Sequence, residues 1–175
     1  LDVKYVKDAD VGYDLDLRLR ELLSICFTKP GDEVFRDRRY FKECPSHRWI
    51  VYDEKDRLIA HVALHEKKVD SFGQEIPIGG IAEVCVHPEF RGQGLVRRLL
   101  SESHKWLRSH GYLFAVLFGD PLVYRSSGYV LVDNLLQKNK AEDGTVKWEP
   151  VVAMVCELGE TKWSRQSVFL QGLTF

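Results

Sequence analysis

The sequence carries almost no net charge: 25 Lys and Arg stand against 26 Asp and Glu, leaving −1 at neutral pH. That balance argues against a general nucleic-acid binder, which shows a basic excess, and leaves room for a local anion site. No apolar run approaches the roughly 20 residues that a membrane helix needs. Cysteine is sparse and scattered. Cys26, Cys44, Cys85 and Cys156 include no C-x-x-C pair, which weighs against a disulfide framework and a zinc site. Free thiols in a reducing cytoplasm are the expectation that follows. Residues 1–10 are mixed and charged and do not read as a signal peptide. Internal repeats and low-complexity segments are also lacking.

What is present is a globular composition. The 175 residues are 45% apolar and 29% charged, the size and balance of one domain over residues 1–175 with its own core. A domain of this length hides roughly 70% of its unfolded surface, so it needs no staples.

Periodicity then assigns elements. Residues 2–6 read as a short strand. Asp14 reads as the N-cap of a helix whose stripe is Leu15, Leu19, Leu22, Leu23, Cys26 and Phe27, ended by Pro30 and Gly31. A second, shorter helix is expected over residues 32–42. Strands are expected at 48–53, 57–66 and 76–87, and the last is apolar from Ile81 to Val86 except for Glu83. Such a run suits the middle of a sheet. After Pro88 and a glycine turn, Leu95, Val96, Leu99, Leu100, Trp106 and Leu107 form a helical stripe, with Gly111 as its C′ residue. A strand at 113–118, a short helix from Pro121 to Tyr124 ended by Gly128, and strands at 129–132 and 151–156 complete the chain, with a hairpin turn at Asp143-Gly144. Trp49, Tyr52, Phe72, Trp106 and Phe118 read as core or cleft wall.

The segment Arg91-Gly92-Gln93-Gly94-Leu95-Val96, set between a strand and a helix, is the most informative. A helix N-terminus offers unpaired N–H groups and the positive end of a dipole. Glycines let the backbone approach a ligand, and Arg91, Arg97 and Arg98 add charge, so the segment suits a phosphate or pyrophosphate. A Walker loop would end in Gly-Lys-Ser/Thr, and a dinucleotide fingerprint would have a third glycine; neither is present. A coenzyme A pyrophosphate site and a plain strand-to-helix turn both stay open on these residues alone.

The run Val84-Cys85-Val86-His87-Pro88-Glu89-Phe90-Arg91-Gly92-Gln93-Gly94 resembles the fourth strand and pyrophosphate loop of the GNAT family of acetyl-CoA-dependent N-acetyltransferases. That family's pattern is Arg or Gln, two residues, Gly, one residue, then Gly or Ala. Arg91 and Gly94 match it, and Val96 stands where a small residue is expected. Gly119-Asp120-Pro121 with Val123-Tyr124-Arg125-Ser126-Ser127-Gly128-Tyr129 is similar to the family's Phe-Tyr-x-x-x-Gly-Phe segment. The resemblance is specific from Ile81 to Tyr129.

It implies an α/β fold with a mixed, mostly antiparallel central sheet flanked by helices. It implies acetyl transfer from acetyl-CoA to a primary amine, small-molecule or peptide, by direct attack in a ternary complex, without a metal. Arg91, Gly92, Gln93, Gly94, Leu95 and Val96 would hold the pyrophosphate. Val84, Cys85 and Val86 would pair with the pantetheine arm, and a backbone N–H near Val86 would serve the oxyanion. Tyr124 would protonate the leaving thiolate, since a phenol of pKa about 10 can be matched to it. Glu83 would be the base. The bland alternatives are a packed Tyr124, a solvated Glu83 at the rim, and Cys85 as a small core residue. His61 and His65 alternate on a strand without a recognisable ligand partner, which weighs against a metal. A non-catalytic acyl-CoA-binding module and a longer acyl donor remain as alternatives. The expected setting is cytoplasmic, away from membrane and nucleic acid, with room for a homodimer.

Overall fold

The computed structural model describes residues 1–175. The chain divides into two compact units, residues 1–65 with 81–105 and residues 66–80 with 106–175. Two long strands, β3 (Leu58–Ser71) and β4 (Gln74–Val86), contribute residues to both.

In the first unit the strands run in the order β1 (Val3–Lys7), β2 (His47–Tyr52), β3, β4, with β1–β2 and β2–β3 antiparallel. Helix α1 (Tyr13–Cys26) buries Leu19, Leu22 and Leu23 against Phe35, Ile50, Leu58 and Cys85. This is the stripe that the spacing predicts. Its start differs. Gly12, not Asp14, is the N-cap residue, and the Gly12 carbonyl accepts the first helical bond from Asp16 N at 3.0 Å. Asp14 and Asp16 lie inside the first turn, where negative charge meets the positive end of the dipole.

The second helix also departs from expectation. Only a 3-10 turn forms, over Asp32–Arg36, and residues 37–46 leave helical geometry. The physical reason lies in what that segment binds. Arg39, Phe41 and Cys44 donate to Asp8 and Glu83, which a continuous helix could not reach from those positions.

Helix α2 (Leu95–Ser109) follows the glycine turn and buries Leu95, Leu99, Leu100 and Leu107. It ends as predicted at Gly111, which has φ +79°. Tyr112 N donates to Leu107 O at 3.0 Å and Gly111 N to Arg108 O at 3.2 Å, the paired bonds of a Schellman cap.

The second unit holds β5 (Phe114–Leu117), α3 (Pro121–Tyr124), β6 (Val130–Lys140), β7 (Val146–Glu157) and β8 (Val168–Leu170). Its strand order is β5-β7-β6-β8, and the far end of β3 also pairs with β8. The pairs β5–β7, β6–β7 and β3–β8 are antiparallel, and β6–β8 is parallel. The fold is thus α/β with mixed, mostly antiparallel strands, in agreement with the sequence reading. The hairpin turn falls at Asp143-Gly144, where Asp143 Oδ1 accepts from Thr145 N at 2.9 Å and Gly144 has φ +83°. Strands β6 and β7 run well past their expected limits: residues 137–140 of β6 are polar, and the outer half of β7 alternates Val146 and Trp148 with Lys147 and Glu149 but is exposed on both faces. Strand β8 is too short to show a period.

The core of this unit gathers Val69, Ile78, Phe114, Val116, Leu135, Ala153, Val155, Val168 and Leu170. The ring of Phe175 packs on Gly80, where an added Cβ would lie 2.8 Å from the ring and would have to displace it. Phe72, read from the sequence as a packed aromatic, is instead 71% exposed, in a turn with φ +56°. No helix is long and apolar enough to cross a membrane.

Candidate active site

Strand β4 leads into the glycine turn through a 3-10 turn at Pro88–Phe90. Proline at the first position and His87 Nδ1, which accepts from Glu89 N at 3.3 Å, close this turn. Gly92 and Gly94 then adopt φ +79° and +73°, a region that side chains rarely enter. An added Cβ at either glycine would meet nothing within 4 Å, so these residues line open space. Gly94 O accepts the first bond of α2 from Arg98 N at 3.1 Å. The N–H groups of Leu95, Val96 and Arg97 therefore lie at the helix end without intrahelical acceptors, and the first turn carries no acid. Residues 91–94 are exposed, Leu95 is buried and Val96 is half-buried. Arg91 is partly engaged: its Nε donates to Val86 O at 3.3 Å, which anchors the turn to the strand. The turn thus combines unpaired helix-end N–H groups with an absence of carboxylates over residues 91–97, a setting that suits an anion.

Glu83 breaks the regularity of β4. Its φ is +50°, a left-handed conformation inside a strand and a source of local strain. The side chain is only 6% exposed. Oε1 accepts from Phe41 N at 2.8 Å, whereas Oε2 is buried without a hydrogen-bond partner and lies 3.7 Å from Arg48 Nη1. Burial outweighs the Arg48 charge and the Phe41 hydrogen bond, and the Glu83 pKa is pushed up to about 7.

Arg48, with no exposed surface, sits at the centre of this cluster. Its Nε donates to Asp8 Oδ1 at 2.5 Å, Nη1 to His61 Nε2 at 2.9 Å and Nη2 to Arg39 O at 3.0 Å. Because the guanidinium can only donate, His61 Nε2 must accept, and the ring proton resides on Nδ1, which donates to Glu83 O at 3.0 Å. Burial and the Arg48 charge keep His61 neutral, well below the usual imidazole range. Asp8 also binds Arg39 through both oxygens, at 2.9 and 2.6 Å, and accepts from Cys44 Sγ at 2.8 Å. Burial alone would raise its pKa, but the bonds from Arg39 and Cys44 and the Arg48 charge hold it well below the carboxylate range. Burial and the nearby Asp8 push the Cys44 thiol up to about 11.

Val84 is half-buried, and Cys85 and Val86 are buried. Val86 O accepts from Cys26 Sγ at 3.4 Å as well as from Arg91. Cys85 packs in the core beside α1, which is the bland reading of that residue. Burial raises its thiol pKa well above the usual value.

In the second unit, Asp120 caps α3 by accepting from Leu122 N at 2.8 Å, and Gly128, at φ +88°, closes the turn that follows. Tyr124 is half-buried. Its ring packs on Gly119, where a Cβ would lie 2.4 Å from Cε2, and meets Tyr129 edge-on at 6.1 Å. A side chain at position 119 would have to displace the tyrosine ring.

The structure brings Glu83, Val86 and the glycine turn together in one unit, with Tyr124 held by its own supports in the other. Sequence reasoning misses Asp8, Arg39 and Arg48. Their only trace is an arginine at the head of an apolar strand, and Asp8 looks like any surface acid.

The acetyltransferase (GNAT) domain family matches residues 17–132. The uncharacterized N-acetyltransferase YhbS of Escherichia coli K12 is 34% identical over 82 residues, 47% of this chain and 48% of its own length. The chain thus spans about half the length of the curated relatives it matches. Among solved structures, the GNAT family N-acetyltransferase YhbS from Escherichia coli in complex with CoA superposes with a TM-score of 0.69 at 22% identity, covering 97% of this chain and 89% of that one. A GNAT family acetyltransferase from Brucella melitensis in complex with acetyl-CoA gives a TM-score of 0.62 at 19% identity, covering 95% and 94%. At these identities the likeness concerns the fold.

Proposed function

The chain belongs to the GNAT acetyltransferase family, and from that premise we propose that it transfers an acetyl group from acetyl-CoA to a primary amine. The observation that carries this reading is the buried Glu83 carboxyl, with one oxygen lacking a hydrogen-bond partner, on the strand that precedes the open glycine turn. The N–H groups at the start of α2, Gly92, Gly94 and the remaining guanidinium nitrogens of Arg91 would hold the pyrophosphate. The Val84–Val86 segment would face the pantetheine arm, although the Val86 carbonyl already serves Arg91 and Cys26.

The donor supplies an activated thioester carbon. The amine nitrogen attacks that carbon, the C–N bond forms and the C–S bond breaks, and no side chain of the protein is acylated. The ammonium proton goes to Glu83, whose pKa near 7 suits a base working around neutral pH. The departing thiolate takes its proton from the Tyr124 hydroxyl. Both roles rest on the family resemblance and on the placement of each residue within its own unit. A coenzyme A donor and unpaired cysteines fit a reducing cytoplasm.

The test is an array of primary amines with acetyl-CoA and detection of the released thiol. Glu83→Gln and Tyr124→Phe should each lower turnover by about 10²–10⁴, the usual contribution of one acid or base. Acetyl-CoA at 100 times its Kd should stabilise the parent protein by about 2.7 kcal/mol. An unchanged melting curve at saturating acetyl-CoA rejects the whole reading.

A further inference from the structure

We propose that Asp8, Arg48 and His61 are positioning residues for Glu83: Asp8 competes with it for the Arg48 guanidinium, and His61 locks both that guanidinium and the backbone kink that carries the carboxyl. This deepens the reading of Glu83 as base and rests on it for its catalytic meaning.

The argument is one of charge and reach. Arg39 bridges Asp8 and Asp16, at 2.6 and 3.0 Å, and Arg48 holds Asp8 at 2.5 Å. Asp16 is also held by Arg20, at 2.9 Å, so Arg48 is the guanidinium that lies near Glu83, and an ionised Glu83 must share it with Asp8 in a buried place. Arg48 is near enough to stabilise that charge, at 3.7 Å, but its shortest bond belongs to Asp8. Hence Glu83 can exist in either state, where a carboxylate paired with a free arginine would stay ionised.

His61 joins the two halves. One ring nitrogen orients Arg48 Nη1, and the other holds the Glu83 carbonyl at the residue with φ +50°. The further groups around Glu83 are accounted for. Phe41 N–H, from the 37–46 loop, binds Oε1, and Cys85, on the same strand, is a buried neutral thiol. Cys44 bonds to Asp8, and His65, kept neutral by burial with a pKa of about 4, adds no positive charge at neutral pH.

The two acidic and basic members of the cluster should act on Glu83 with opposite signs, which a merely structural role would not produce. The measurement is the titration of the Glu83 carboxyl by ¹³C NMR of the full chain labelled at glutamate carboxyls, assigned by the signal lost in Glu83→Gln. Its companion is the acidic limb of kcat/KM against pH with acetyl-CoA and an active amine. In the parent protein the carboxyl should titrate near 7. Asp8→Asn frees the guanidinium for Glu83 and should lower the midpoint by on the order of one pH unit, and Arg48→Met should raise it by a similar amount. Equal displacements in both variants, or none, overturn the proposal. So does a parent midpoint near the ordinary glutamate value of about 4.3, which needs no variant and decides the matter if Arg48→Met does not fold. Carboxyl midpoints that move in opposite directions while the kinetic limb stays fixed support the positioning role and remove Glu83 as the base.

Discussion

The glycine turn at residues 91–96 and the cluster around Glu83 lie in the same unit and are built by opposite means. The turn is made of consecutive residues, exposed over 91–94, and depends on backbone angles that glycine alone adopts easily. The cluster draws Asp8, Arg39, Phe41, Arg48, His61 and Glu83 from separate segments, with Asp8, Arg48 and His61 buried, and is charged and hydrogen-bonded almost throughout. A local device tolerates change outside its glycines. In a long-range buried one the partners are shared, so the loss of Arg48 removes a donor from Asp8, His61 and the Arg39 carbonyl at once.

That difference predicts a graded set of outcomes. The largest is expected for Arg48→Ala, which leaves a cavity and removes donors from Asp8, His61 and Arg39 O. It should cost about 3–5 kcal/mol in urea unfolding, as broken buried ion pairs do. A cost below about 1 kcal/mol would mean that water or Arg39 replaces it and that the cluster is no tighter than the turn.

Glu83→Gln probes the same cluster from its strained member. The folded Glu83 pKa, about 7, lies above the unfolded one. The stability linked to it is therefore fully present below about pH 4 and lost as pH rises through about 7. Gln keeps an oxygen for Phe41 N–H and cannot ionise. Its Tm should match the parent's near pH 4 and exceed it at pH 8 by an amount corresponding to on the order of 2–3 kcal/mol. Equal melting temperatures at both pH values would show that Glu83 ionises without cost.

The turn should respond less. Gly94→Ala meets no steric obstacle but must hold φ near +73°, so it should lose about 1–2 kcal/mol, measured by chemical unfolding, and weaken acetyl-CoA binding. Arg91→Ala should change stability least, by about 0.5 kcal/mol or less as exposed positions do, while still reducing the thermal shift caused by acetyl-CoA. If Arg91→Ala destabilised the fold as much as Arg48→Ala, the contrast between the two regions would fail.

How much of this was legible follows from the same contrast. The turn could be read in the sequence because its glycines, the strand before it and the helix after it are neighbours in the chain. Helix α1's stripe, the Gly111 cap and the Asp143-Gly144 turn were readable for the same reason: each depends on spacing within a few residues. Glu83 could be singled out as the one acid in an apolar run, and Tyr124 through its motif. Their surroundings could not. That residues 37–46 abandon a helix follows from Arg39 and Phe41 reaching Asp8 and Glu83, and no local pattern records those partners. Strand β8 exists because β3 and β6 offer it edges, not because its own residues insist on it. The sequence by itself determined the local geometry and the candidate chemistry. The tertiary structure alone decided which charges are buried together, and hence the proton affinity of Glu83, because desolvation and pairing depend on residues brought together only when the chain has folded.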